Sequence, residues 1–126
     1  MLGNKKTTAV LPATDLKRAR NFYTEKLGLK VLNEYPSMLV LGAGEGTMFT
    51  LYKRPDTTKA EHTVLSFSVQ DIEEEVSKLK AGGVIFEEYD MPEVGVKTEN
   101  GIAVSGGWKS AWLKDSEGNI IGLSQM

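Results

Sequence analysis

Apolar positions along the chain switch between a helical and an extended rhythm, and the sequence of switches occurs twice. Thr7 to Leu11 is a short β-branched and apolar run that predicts a strand ending at Pro12. Asp15 then stands as a helix N-cap, and Leu16, Ala19, Phe22, Tyr23 and Leu27 fall on one helical face before Gly28 closes it. Extended segments are predicted at about 30–35, 38–41 and 47–53, the last two joined by the glycine-rich turn Gly42-Ala43-Gly44-Glu45-Gly46. After the polar linker 54–60 the order restarts with a strand from His62 to Val69. Asp71, followed three residues later by Glu74, has the form of a capping box, with aspartate in the usual serine or threonine position. Ile72, Val76 and Leu79 mark the buried stripe of a second helix, which Gly82-Gly83 terminates. Strands then follow at about 84–89, 109–114 and 119–125. Each half reads β-α-β-β-β, and an internal repeat constrains architecture before any single residue does.

The halves differ in length. The interval from Leu41 to Leu113 exceeds that from Asp15 to Asp71 by 16 residues, and the excess lies between Tyr89 and Lys109. So long a loop in a small domain is uncommon unless it is functional or disordered. Val94, Val96, Ile102, Val104 and Trp108 give it apolar side chains that need something to cover, so the expectation is a lid or rim over a ligand, with a short hairpin at Asn100-Gly101.

Composition narrows the classes. With 126 residues, two half-length repeats must share one core, so the chain reads as a single domain over 1–126, module one about 7–53 and module two about 62–125. Hydrophobic and charged fractions of 40% and 25% are ordinary for a globular protein, and no apolar run approaches a membrane span. A net charge of −2 gives no cationic field for nucleic acid. Cysteine is absent, which removes disulfides and thiolate chemistry, and no secretory h-region follows Met1; cytoplasm is the expected compartment.

The joints Leu11-Pro12-Ala13-Thr14-Asp15-Leu16, Phe22-Tyr23, Leu27-Gly28 and Ser68-Val69-Gln70-Asp71-Ile72, with the closing Trp112-Leu113-Lys114-Asp115-Ser116-Glu117-Gly118-Asn119-Ile120-Ile121-Gly122-Leu123, resemble the vicinal oxygen chelate superfamily. That group holds glyoxalase I, extradiol dioxygenases and the bleomycin- and fosfomycin-resistance proteins. The resemblance implies an α+β fold in which two βαβββ modules form a cupped, half-barrel-like mixed sheet. It also implies a homodimer. Metal-using members place ligands near the middle of the first strand and on the last strand of each module. Those positions carry over to Thr8, Thr50, Val64 and Gly122, which make no usable ligand set. No metal and no cofactor is therefore expected.

Period-two alternation gives the facing directly. Thr63, Leu65, Phe67 and Val69 are assigned to the helix side, with His62, Val64, Ser66 and Ser68 in the cup. Phe49, Leu51, Ile121 and Leu123 go to the core, while Met48, Thr50, Tyr52, Ile120, Gly122 and Ser124 face the cup. Trp112, opposite in phase to Leu113, joins them as a stacking surface, and Trp108, Tyr35, Tyr52 and Tyr89 form a rim. The binding set is thus Met48, Thr50, Tyr52, His62, Val64, Ser66, Trp108, Trp112 and Gly122, with His62, the only histidine, as the one catalytic candidate. An ordinary strand-end histidine and a solvated acidic strand end at Glu87, Glu88 and Asp90 are the plainer readings of those residues. A cup of small, hydroxylated and apolar groups suits an organic molecule better than a cation. The leading expectation is a metal-free binder that sequesters an antibiotic or metabolite. The alternatives are an isomerase or lyase using His62 with tyrosine or serine hydroxyls, and a glyoxalase or dioxygenase with an unusual metal site. Whether any reaction is catalysed stays open at this point.

Overall fold

The computed structural model describes residues 1–126. Module one consists of β1 (Ala9–Ala13), α1 (Leu16–Asn21), a π-helical turn over Phe22–Lys26, β2 (Lys30–Tyr35), β3 (Met38–Gly42) and β4 (Met48–Lys53). Module two consists of β5 (Thr63–Ser68), α2 (Ile72–Ala81), β6 (Asp90–Met91), β7 (Val96–Glu99), β8 (Ile102–Ser105), β9 (Trp108–Lys114) and β10 (Ile120–Gln125). The sheets have the strand orders β1-β4-β3-β2 and β5-β10-β9-β8-β7-β6. In each, the first strand runs parallel to the last while the remaining pairs are antiparallel. No helix is long and apolar enough to cross a membrane.

Both N-caps form as the sequence predicts. Asp15 Oδ1 accepts from Arg18 N at 3.0 Å and Asp71 Oδ1 from Glu74 N at 3.1 Å. The Glu74 side chain turns to Lys78 (3.1 Å) instead of reaching back, so only half of a capping box is made. Ala19 and Tyr23 from the first helical segment and Ile72 and Val76 from α2 are buried in one core with Leu11, Leu39, Leu41, Phe49, Leu51, Leu113, Ile121 and Leu123. The alternation that sends Phe49, Leu51, Ile121 and Leu123 inward is present as read.

Four expectations need correction. β1 runs through Pro12, because it pairs on one side only, with β4, and an edge strand tolerates a missing N–H. Residues 84–89 make no regular strand; Phe86 forms a single bridge to Leu113, and Glu87 N donates to Trp112 O at 2.8 Å. The extra residues of module two are no free lid: β7 and β8 form a hairpin that pairs with β9 and widens the sheet. Its turn is Asn100 (φ 53) and Gly101 (φ 85), the two positive-φ residues of a tight hairpin. Finally, β5 carries a bulge, with Ile120 opposite Thr63 and Ile121 opposite Leu65. The bulge spends Val64 as an extra residue, which shifts everything before it to the other face. Val64 therefore packs against the core and Thr63 takes the cup face.

The modules are clasped by a buried polar cluster. Glu117, 2% exposed, accepts from Thr14 N (2.9 Å), Asp15 N (3.1 Å) and Arg18 Nε (2.8 Å). Beside it Tyr23 Oη donates to Asp115 Oδ2 at 2.5 Å, and Asn119 Nδ2 donates to Pro12 O at 3.0 Å. Burial alone raises a carboxyl pKa, yet the bonds from Arg18, Ser116 and the Asp15 N–H outweigh it and hold Glu117 down at about 2. Burial, followed by the neighbouring Asp115 charge, pushes the Tyr23 hydroxyl well above its ordinary value.

Candidate functional site

Three neighbouring strands of module two set one row of residues across the cup face. Trp112 on β9 stands opposite Gly122 on β10, and Gly122 stands opposite Ser66 on β5. Gly122 keeps the middle of this row low. A Cβ there would lie 3.1 Å from Thr63 Cγ2 and 3.3 Å from Ser66 Oγ, so the missing side chain is what admits both neighbours. The bulge then brings the Thr63 hydroxyl to Trp112, whose Nε1 donates to Thr63 Oγ1 at 3.1 Å. Tyr89 packs against the indole in a T-shaped pair, with ring centroids 5.5 Å apart and planes at 73°. An aromatic side chain held at its N–H and against a second ring is a fixed platform, since the orientation a ligand would otherwise have to impose is already set.

Beyond Tyr89 the face becomes polar. Lys114 Nζ lies 3.4 Å from Glu87 Oε1, and these residues with Tyr89, Ile120 and the linker residues Thr58 and Glu61 line an open cleft of about 640 Å³. Partial burial and then Glu87 raise the Tyr89 hydroxyl pKa, with Lys114 opposing, so Tyr89 stays a neutral donor at physiological pH.

The remaining predicted residues are scattered. Trp108 shares the face of Trp112 four residues along β9, where it pairs with Ser105 at the sheet margin and is half exposed. In module one Thr50 is buried between Val10 and Val40, and Tyr52 is exposed with Arg54 over its ring at 5.6 Å. Met48 lines a separate cleft beside α2. His62 precedes β5 and is exposed, and its Nδ1 lies 3.1 Å from the carbonyl of Thr63. The structure thus brings Ser66, Trp112, Gly122 and the rim residue Tyr89 together, adds Thr63 and the Glu87–Lys114 pair, and leaves Val64 in the core and His62 apart. Thr63 was hidden from the sequence because a bulge carries no local signature there. Glu87 reads as a solvated charge until its partner across the fold is known.

A divalent metal, as used by enzymes of the resembled fold, finds no fit. No three His, Cys, Asp or Glu side chains converge so as to hold a metal ion, and the carried-over positions present two threonines, a valine and a glycine.

Comparison with known proteins gives the fold an independent footing. Residues 7–123 match the sequence model of the Glyoxalase/Bleomycin resistance protein/Dioxygenase superfamily. Among solved structures, a bleomycin-binding protein complexed with bleomycin superposes with a TM-score of 0.71 at 19% identity, covering 98% of this chain and 99% of that one. An antibiotic-binding protein from Streptomyces sp. CB03234 gives 0.70 at 22%, covering 97% of each chain. Lactoylglutathione lyase from Agrobacterium tumefaciens gives 0.70 at 19%, covering 99% and 96%. No curated protein matches in sequence.

Proposed function

Because the chain belongs to the Glyoxalase/Bleomycin resistance protein/Dioxygenase superfamily, we propose that it binds a small organic molecule on the cup face without a metal and holds it, as a sequestering or carrier protein. The observation that carries this reading is the Trp112 indole, fixed by Thr63 and Tyr89 above a floor opened by Gly122. A face of this kind suits a planar, partly aromatic ligand, with the Glu87–Lys114 pair available to polar substituents at one end. The antibiotic-binding neighbours make an antibiotic or a related metabolite the first class to test. The acid–base alternative has less support, since His62 is exposed and its one hydrogen-bond partner is the adjacent carbonyl.

The working form in this reading is a homodimer. Val10, Tyr35 and Tyr52 leave an apolar set exposed on module one, from 38% to 56% each, and a second copy would cover them.

The test is a fluorescence titration with a panel of planar aromatic compounds, bleomycin included. Binding by the wild type with at least about tenfold weaker binding by Trp112→Ala, and no change for His62→Ala, is the expected pattern. Turnover of a panel compound that His62→Ala abolishes would replace the binder with an enzyme.

A further inference from the structure

The tips of the two modules are equivalent in the repeat and dock differently. In module two the turn Asp115–Asn119 is clamped to the start of α1 through Glu117. In module one the matching turn is Gly44-Glu45-Gly46, with Glu45 in the place of Glu117, and Glu45 is exposed. The reason lies in the facing helix. Arg18 stands three residues after the cap Asp15, whereas the same position after Asp71 is Glu74, and the first turn of α2 is Glu73-Glu74-Glu75. Glu117 meets a cation at one end of the molecule, whereas a carboxylate docking on α2 would face carboxylates, which disfavours a second clasp.

What is left between that tip and α2 is a cleft of about 590 Å³, within the range of small-molecule pockets. Its apolar wall includes Leu29, Met48, Phe67, Val69, Leu79 and Leu123, and it shares no residue with the cleft beside Trp112 and Tyr89. Two charged side chains line it, Lys30 from β2 and Glu75 from α2. Glu73 is bound to Lys109 and Glu74 to Lys78, while neither Glu75 nor Lys30 has an oppositely charged partner within 4.0 Å. Glu75 is half-buried and carried on a helix; Lys30 is exposed at the mouth.

We propose that this cleft is a second ligand site, separate from the cup, for an apolar zwitterion of about dipeptide size. The ligand's ammonium meets Glu75, its carboxylate meets Lys30, and its side chains lie against the leucine and phenylalanine wall. A neutral apolar ligand would leave both charges unanswered, and a singly charged one would answer only one of them.

The experiment is amide chemical-shift mapping on the full isotope-labelled chain with leucyl-leucine, its N-acetyl derivative and its C-terminal amide. The expected result is perturbation of Gly44, Gly46, Val69 and Leu79 by leucyl-leucine, with about five- to tenfold weaker binding once either end is capped. Glu75→Gln then abolishes discrimination against the acetylated peptide, and Lys30→Gln abolishes discrimination against the amide. Shifts that cluster at Trp112, no shifts at all, or equal affinity for the three peptides would each overturn the proposal. Because the readout is residue-specific, this result is independent of whether the cup binds an aromatic compound.

Discussion

At Gly122 the absence of a side chain does several things at once. It lets Thr63 and Ser66 close over β10, and through Thr63 it fixes the orientation of Trp112. Thr63→Val keeps the shape and removes the acceptor, so the indole N–H must turn to water or to a ligand. Stability is expected to change by about 1 kcal/mol or less, while affinity for a stacking ligand falls severalfold; urea unfolding and the fluorescence titration read the two effects separately. Equal affinity in the variant would mean that the Thr63 bond does not orient the platform. The same residues show where a sequence stops being legible. Strict alternation places Trp112 and Gly122 on the cup face, and both stand there in one row with Ser66. It fails at Thr63 and Val64, because one bulge residue reverses the phase of everything before it.

The hairpin β7–β8 shows an element that local chemistry specifies almost alone. Asn100-Gly101 supplies two residues at positive φ, the requirement for a two-residue turn whose twist matches the strands it joins. Gly101 has a second constraint: at φ 85, an added Cβ would lie 3.0 Å from Phe86 Cβ. Gly101→Ala is therefore expected to lose about 2 kcal/mol or more, from left-handed strain together with a clash against a buried ring. The shift of the urea midpoint measures it, and a variant as stable as wild type would show that the turn can relax at no cost. The turn itself was legible in the sequence. The pairing of β8 with β9 was not, because nothing in residues 90–108 states whether an apolar hairpin covers a ligand or extends a sheet. The helices were more transparent, since caps and apolar stripe gave their starts and buried faces, with Asp15 and Asp71 both bonded as capping residues.

On the scale of the whole molecule, the repeat explains the architecture, and the clasp that module two makes and module one lacks accounts for the cleft beside α2. Glu117 clasps module two to α1, and its carboxyl is held at about 2, below the ordinary 4.5. A depressed folded-state pKa contributes stability that is complete above the ordinary value and is lost as pH falls from 4.5 towards 2. The urea midpoint of the wild type should therefore drop across that window. Glu117→Gln should begin about 2–3 kcal/mol less stable at neutral pH and lose less below it, because it has no proton to take up. Parallel pH profiles for the two proteins would mean that the clasp does not set acid stability. Little of this cluster was readable beforehand. The turn Asp115-Ser116-Glu117-Gly118-Asn119 looks like a solvated loop until the fold buries it against α1.

The central claim, an organic ligand in a cup without a metal, is tested most directly by native mass spectrometry of protein purified with neither chelator nor affinity metal. A dimer carrying an organic mass that Trp112→Ala loses is the predicted result. A stoichiometric divalent metal ion bound to the wild type would contradict it, because no three-donor cluster in the chain accounts for such an ion.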